Sequence, residues 1–369
     1  MNNIVVLLIG NIDYDSRVQK EISTFISLGY HVTLITWSWQ PVLYHNENVD
    51  IIEVNLSNYK DPNNAILKFW KTIKFWFISA NIIKKGNYKY IHCNDLSTLG
   101  TIFFLPKRYY SRIVYDAHEL YPEMYEINSL KYRFWSYIER NLIKKVENII
   151  SPELNRADYL KQKYELKRRP YVINNFPRFE VLTPVDVKKK LKLSSEKKIL
   201  CYHGIIFGGR QIENIVESLG FLPDNFVLVL IGYADERYVG ELKEFIVSKR
   251  LEKRVFFYGK VPPKEMPQTI AGCDISIALY ENNRMNNYLC ASNKVFESIM
   301  AGVKVITNDY PPHKILKNYE FVGLVSKPEP ERIADCARYL DECGSEIPEN
   351  IKRRFSWDSF HELFKKIYK

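Results

Sequence analysis

The sequence predicts an α/β protein built from two doubly wound parallel-sheet domains that face each other across a cleft. Three observations carry that prediction. Short continuous apolar runs recur along the chain and alternate with helix-length stretches, the rhythm of βαβ units. The runs are apolar throughout rather than alternating, as strands buried on both faces require. A polar, proline-bearing break then divides the chain into two similar blocks, and 369 residues suit two domains of roughly 100–200 residues each.

In the first block, residues 4–9 form an apolar run closed by Gly10. Residues 16–28 read as a helix ended by Gly29, and 31–36 and 49–54 as further strands. Residues 88–93 and 112–115 repeat the theme. The rhythm breaks between 176 and 190, where Thr183-Pro184-Val185-Asp186 leads into Lys188-Lys189-Lys190. The second block opens with a strand at 198–202. Strands follow at 226–231, 255–258, 275–279, 303–307 and 322–325, with helices at 211–219, 237–248, 263–271, 292–301 and 331–343 between them. In open α/β sheets ligands sit at the carboxyl ends of the strands, so function is expected in the cleft.

Composition narrows the classes. Charged residues make up 26% and hydrophobic residues 46%, which excludes a disordered chain, and 15 Gly with 17 Pro exclude a collagen or a linker. No run reaches the roughly 18 apolar residues of a spanning helix. The first residues lack the basic flank and cleavage site of a signal peptide, so a cytoplasmic protein is expected. Cys93, Cys201, Cys273, Cys290, Cys336 and Cys343 include no CxxC pair and read as buried thiols. The net charge of +10 admits nucleic acid, anionic lipid or an anionic small substrate.

Five segments carry chemistry. The turn Gly10-Asn11-Ile12-Asp13-Tyr14-Asp15-Ser16-Arg17 joins a strand to a helix whose N–H groups suit an anion, with Asp15 or Ser16 as its cap. Asp13 and Asp15 also match a metal-binding acidic pair. His92-Cys93-Asn94-Asp95 and Asp116-Ala117-His118-Glu119 are read as loops just past two strands. Their convergence suits either a metal hydrolase or a sugar site with an acid–base group. Gly204-Ile205-Ile206-Phe207-Gly208-Gly209-Arg210 combines glycines with a permanent cation ahead of a helix and matches neither the Walker nor the GxGxxG pattern. The richest segment runs from Leu279 to Ile306. It places Asn293 and Lys294 in a first helical turn that would grip a phosphate, and Glu297 one turn on, where a carboxylate accepts the two hydroxyls of a ribose.

On these residues the chain resembles the retaining glycosyltransferases of family 4, which have the GT-B fold. Asn293-Lys294-Val295-Phe296-Glu297-Ser298-Ile299-Met300-Ala301-Gly302 is similar to that family's donor-binding helix. Asp15-Ser16-Arg17-Val18, His92-x-Asn94-Asp95, Tyr115-Asp116-Ala117-His118-Glu119-Leu120-Tyr121-Pro122-Glu123, the 170–177 segment and Trp357 match in the same order. The resemblance implies two Rossmann-like domains: 1–180, with a C-terminal helix of about 355–369 crossing back to it, on the acceptor side, and 190–354 binding the donor. It implies a nucleotide-sugar donor, UDP-sugar above others, and a glycan or lipid-linked glycan acceptor. The setting would be capsule, exopolysaccharide or lipopolysaccharide synthesis, at the inner face of the cytoplasmic membrane. No cofactor and no metal are expected.

Roles carry over residue by residue. Glu297 would hold the ribose, while Arg210, Lys294 and the N–H groups of Ser292 and Asn293 would hold the diphosphate. Gly10 and Asn11 would approach the diphosphate too, and Gly232 and Gly259 would flank the base. His118 would lie by the transferred sugar; catalysis is assigned to His118 and Glu297. Asp15, Arg17, His92, Asp95 and Glu119 fall on the acceptor side. The family's first glutamate is replaced by Leu289, which shifts sugar contact toward backbone N–H groups of residues 288–291. That replacement also motivates the rival reading of a non-catalytic nucleotide- or glycan-binding subunit; a metal-dependent hydrolase is the second rival.

Residues 66–77 and 131–137 are basic and aromatic, and Lys68, Lys71 and Lys74 are expected on one helical face. Such stretches suit a lipid headgroup layer, or equally an amphipathic helix packed on the sheet. No stacking motif or finger pattern points to nucleic acid.

Overall fold

The computed structural model describes residues 2–56, 65–344 and 346–369, apart from the side chains of Ala65 and Ile66. The chain divides into two compact units, Met1–Asn175 with Phe360–Lys369, and Phe176–Ser359.

The first unit holds a seven-stranded parallel sheet in the order β3-β2-β1-β4-β5-β6-β7. Its strands are β1 Asn3–Ile9, β2 His31–Trp37, β3 Val49–Glu53, β4 Tyr90–Asn94, β5 Ile113–Asp116, β6 Asn148–Ser151 and β7 Tyr171–Val172. Ile4, Val5, Val6 and Leu7 have no exposed surface and lie in register between residues 32–35 and 90–93. The helix Ser16–Ser27 follows β1. The Asp15 carboxylate caps it by accepting the Val18 N–H at 3.1 Å, and Gly29, at φ +83°, turns the chain out of it.

The second unit holds a six-stranded parallel sheet in the order β10-β9-β8-β11-β12-β13. These strands are β8 Lys198–His203, β9 Phe226–Ile231, β10 Val255–Gly259, β11 Ile275–Ala278, β12 Lys304–Asn308 and β13 Val322–Val325. The helix Asn293–Met300 buries Val295, Phe296 and Ile299, and Phe296 meets Phe176 and Phe355 at ring centroids of 4.4 and 5.5 Å. Strand order reverses between β1 and β4 in one sheet and between β8 and β11 in the other. Those are the switch points where α/β sheets open a crevice for ligands.

Several expectations shift. The first unit ends at Asn175 and the second begins at Phe176. The 183–190 break is not a free linker: the Val185 N–H donates to the Gln268 carbonyl at 2.9 Å, and Val187 is buried in a helical turn, Val187–Lys190. Trp357 stays with the second unit, its N–H on the Pro177 carbonyl at 2.8 Å, while the helix His361–Ile367 belongs to the first. The helix expected at 263–271 starts at Met266, because the Glu265 and Met266 N–H groups both close a turn on the Pro262 carbonyl. Strands β6 and β7 and the helix Leu154–Tyr164 were not expected; β6 holds only two apolar residues, between Asn148 and Ser151, and β7 is two residues long, too short an apolar run to read. Cys93, Cys201 and Cys273 are buried, but Cys290, Cys336 and Cys343 are partly exposed.

Of the basic-aromatic stretches, the first lies in the helix Ala65–Lys85 and the second in the helix Leu130–Leu142; the side chain of Ile66 is outside the described set. Lys68 and Lys74 are exposed while Lys71, between them on the helix, is buried, its ammonium 5.9 Å from the Trp37 ring centre. Phe75 and Trp76 pack inward; Trp70 and Phe77 stay exposed. No described helix is long and apolar enough to cross a membrane.

Candidate active site

In the first unit the chemistry-bearing residues start inside the strands rather than beyond them. His92 and Asn94 belong to β4 and Asp116 to β5, with Asn94 paired to Asp116. All three are at most 2% exposed, which corrects their reading as loop residues. A parallel sheet points alternate side chains to one face, so His92 and Asn94 share a side, and His92 meets the helix Ser16–Ser27 at Glu21.

From that helix Arg17 reaches the sheet edge, at 3% exposure. Its guanidinium grips Asp116 in a bidentate pair, Nε to Oδ2 at 3.0 Å and Nη2 to Oδ1 at 2.9 Å, and donates to the Ile173 carbonyl through Nη1. Arg17 Nε also lies 3.0 Å from the Glu21 carboxylate. Burial opposes charge on Asp116, but Arg17, the Glu21 hydrogen bond, His118 and His92 together outweigh it and hold that carboxyl well below the usual range. Burial, then the Asp116 charge, pushes Glu21 well above its usual range. The two carboxylates thus divide one cation, and Glu21 carries the proton most readily.

His92 is wholly buried, with Nδ1 2.5 Å from the Tyr368 hydroxyl and Nε2 3.1 Å from Glu21. Burial lowers its pKa to about 4, so the ring is neutral near pH 7. His92 therefore supports the sheet edge from below and has no surface to offer an acceptor. His118 sits higher, its side chain 15% exposed, with Nε2 on Asn94 Oδ1 at 3.0 Å and Nδ1 3.8 Å from Asp95. Asp95 takes a left-handed backbone, φ 61°, and accepts the Glu119 N–H at 3.3 Å; burial pushes its carboxyl up to about 6. Arg156 ties the same loop down. It donates to the His118 carbonyl at 2.8 Å and pairs with Glu119 at 2.8 Å.

Glu21, Asp116 and His118 place ligand atoms within 4.8 Å of one another, a spacing that fits a metal ion. Arg17 already stands against both carboxylates, and a dication there would meet that buried cation. Asp13 and Asp15 do not act as a pair: one accepts the Leu43 N–H at 2.8 Å, the other caps the helix at Val18. Asn11 is likewise occupied by the Asp13 N–H and the Pro41 carbonyl. Gly10 lies at the end of β1, its N–H on the Trp37 carbonyl at 3.0 Å.

In the second unit the glycines after β8 and β9 touch. A Cβ on Gly232 would stand 2.0 Å from the Gly204 carbonyl oxygen, and one on Gly204 2.9 Å from Lys294 Cε. Both take positive φ, +136° and +112°, open to glycine. Lys294 thus lies directly over the turn that follows β8. Its Nζ donates to the Tyr280 hydroxyl at 3.1 Å, and the Arg210 guanidinium lies 4.4 Å from the Tyr280 ring centre. One tyrosine, just beyond β11, thereby holds both predicted phosphate cations. Glu297, one turn into the helix Asn293–Met300, keeps 39% of its side chain exposed and accepts from His203 Nε2 at 3.2 Å. Gly259, φ +90°, closes β10, and its carbonyl accepts the Gly232 N–H at 2.9 Å.

Two expectations about backbone donors are corrected here. Ser292 is wholly buried and its N–H donates to His313 Nε2 at 3.4 Å, not outward. His313 is kept neutral by burial, at about 4, and its other ring nitrogen lies 3.0 Å from the Asn308 carbonyl. The Tyr288, Leu289 and Cys290 N–H groups are all bonded within the turn Met285–Tyr288, to the carbonyls of Arg284, Met285 and Asn287. They are committed to that turn, so three of the four N–H groups expected to replace the missing glutamate are taken. Sequence reasoning placed Glu21 in the segment that resembles the family's first helix without giving it a role, and missed Arg156, Tyr280, His313 and Tyr368. Tyr280 alone carried a signal, its place at the carboxyl end of a strand next to the switch point.

The chain matches the model "Glycosyltransferase Family 4" over residues 18–176 and the model "Glycosyl transferases group 1" over residues 186–354. No curated protein sequence matches it. Its fold is that of several solved structures. A sucrose-phosphate synthase from Thermosynechococcus elongatus is 16% identical, with a TM-score of 0.81 over 100% of this chain and 98% of that one. A glycosyltransferase from Rickettsia africae is 16% identical, with a TM-score of 0.74 over 100% and 98%. The Anabaena protein Alr3699/HepE, solved with UDP and glucose, is 14% identical, with a TM-score of 0.72 over 99% of each chain.

Proposed function

The chain is a glycosyltransferase of the family-4 type with the GT-B fold, and from that premise we propose that it moves a sugar from a nucleotide-diphosphate donor to a hydroxyl of a glycan or lipid-linked glycan, with retention of configuration. The observation that carries this reading is the cradle of the second unit: two touching glycines at the end of β8 and β9, with Lys294 and Arg210 held on Tyr280 beside Glu297. A backbone without side chains lets a diphosphate approach closely, and two cations balance its charge as it leaves. Glu297, half-exposed beside His203, accepts the ribose hydroxyls.

UDP is the favoured nucleotide, supported by the UDP in the Anabaena structure. The second unit binds the donor and the first faces the acceptor. There His118, held between Asn94 and Asp95, is the group of the first unit suited to stabilise positive charge developing on a sugar ring. Arg210 and Lys294 take the place a metal ion would otherwise fill. The setting is surface-polysaccharide synthesis, and exposed Trp70, Phe77 and Tyr137 on basic helices of the first unit support contact with a lipid surface.

The test is a thermal-shift panel of UDP, GDP, ADP and CDP, with and without EDTA, on the wild type and Glu297→Ala. One nucleotide is expected to raise Tm selectively, insensitive to EDTA, and to lose its effect in the variant. No shift with any nucleotide at millimolar concentration overturns the reading.

A further inference from the structure

We infer that Glu281 and the cavity it lines hold the sugar of the donor, in place of the carboxylate that Leu289 removes. The inference rests on the transferase reading above. Three observations support it.

First, the position expected to read the sugar has lost its carboxylate and three of its four expected backbone donors. Leu289 is buried and apolar, and the N–H groups of residues 288–290 are bonded inside their own turn. A hydroxyl brought against the Leu289 side chain finds no partner on it, and left unpaired there it costs about 1–3 kcal/mol.

Second, a cavity of about 400 Å³ opens at the carboxyl ends of β11, β12 and β13, wholly within the second unit. Gln211, Tyr280, Glu281, Asn283, Tyr310 and Lys327 line it. That volume lies at the small end of the range of about 300–1,000 Å³ for small-molecule sites, sized for a single ring rather than a whole nucleotide. Its chemistry suits a polyhydroxylated ring. A carboxylate and amides read hydroxyls as acceptors and donors, and tyrosine rings cover the ring's apolar face. The groups are set in place: Asn283 Nδ2 donates to Glu281 Oε2 at 3.0 Å, Asn287 Nδ2 to Asn283 Oδ1 at 2.8 Å, and the Tyr310 hydroxyl to the Tyr280 carbonyl at 3.0 Å.

Third, the cavity adjoins the cation cradle. Tyr280 is a wall of the cavity, and the same residue holds Lys294 by its hydroxyl and Arg210 on its ring. Glu281 also comes close to the turn after β8, since a Cβ on Gly209 would stand 3.7 Å from its carboxylate. A diphosphate gripped by Arg210 and Lys294 carries its sugar one ester bond further on, past Tyr280, where Glu281 waits. The carboxylate also selects: a neutral hexosyl group gains hydrogen bonds from Glu281, whereas a sugar acid is repelled by it.

The experiment compares calorimetric affinities of UDP, UDP-glucose, UDP-galactose and UDP-glucuronate for the full chain, as wild type, Glu281→Ala and Lys294→Ala. Where the panel above selects another base, its diphosphate and hexosyl derivatives are used instead. Wild type is expected to bind at least one neutral nucleotide-hexose more tightly than the bare diphosphate. Glu281→Ala is expected to lose about tenfold for that nucleotide-hexose, the scale of one hydrogen bond to a charged group, and to keep its affinity for the diphosphate. Glu281→Asp should recover part of the loss. An unchanged nucleotide-hexose affinity in Glu281→Ala, or an equal loss for diphosphate and nucleotide-hexose, overturns the inference while leaving the transferase reading intact. Loss of all nucleotide binding in wild type overturns both, and diphosphate binding lost only in Lys294→Ala keeps the cradle. Glu281 is partly exposed, so its substitution leaves the fold intact, and an unaltered melting curve of the unliganded variant checks this.

Discussion

His92 shows how far the sheet interior sets the chemistry of one side chain. Burial holds its pKa at about 4 against an ordinary 6.5, and the facing groups are the Tyr368 hydroxyl, Glu21 and Asn94. The folded pKa is depressed, so the unfolded chain binds the extra proton between those two values. The stability this supplies is full above about pH 6.5 and is lost as pH falls through about 4. Between pH 7 and 5 the loss is about 2 kcal/mol. Urea unfolding at a series of pH values is expected to show that slope in the wild type and a flatter one in His92→Gln; parallel curves would refute the assignment. Arg17 acts at the same scale from the opposite side. One guanidinium serves Asp116, Glu21 and the Ile173 carbonyl; Glu21 is one helical turn away, but the other two partners lie 99 and 156 residues along the chain, and the sequence supplied Arg17 without them.

Among elements, the turns after β8 and β9 are packed backbone against backbone. Gly232 stands where any Cβ meets the Gly204 carbonyl, at a φ that L side chains rarely adopt. Gly232→Ala is expected to cost about 3 kcal/mol or more, as strain and displacement of the Gly204 turn, and to weaken nucleotide binding with it. Gly240 lies inside the helix Glu236–Ser248 with open space around it. Gly240→Ala is therefore expected to stabilise by about 0.5–1 kcal/mol. Differential scanning calorimetry on the pair separates the two outcomes. The helices in this unit were legible to within a residue at most ends, because their apolar spacing and flanking glycines are local signals. The turn Met285–Tyr288 was not legible: a stretch of Asn and Arg carries no periodicity, and only the fold shows its N–H groups to be occupied.

Over the whole molecule, the last helix completes the core of the first unit. Phe364 has no exposed surface and meets Phe25 edge-on at 6.0 Å, while the Tyr368 hydroxyl reaches His92 and the Tyr30 hydroxyl bonds the Tyr368 carbonyl at 2.7 Å. Phe364→Ala is expected to cost about 3–5 kcal/mol. Hydrogen exchange should show the loss in β1 and β4, with protection in β8 and β11 kept; uniform loss in both sheets would contradict the division into units.

By itself the sequence determined most of the elements, their order, the fold and the residue types that carry charge to the strand ends. Each of those follows from local patterns: apolar runs, caps, glycines and the motifs shared with a family. Tertiary structure alone decided which of those residues are at hand and which are already engaged. It placed His92 and Arg17 inside, turned the Ser292 N–H toward His313, and gathered Lys294 and Arg210 on Tyr280. The physical reason is that burial and hydrogen-bond partnership are properties of distant pairs. A residue's chemistry depends on what lies within a few ångströms of it, and neighbours in space are seldom neighbours in the chain.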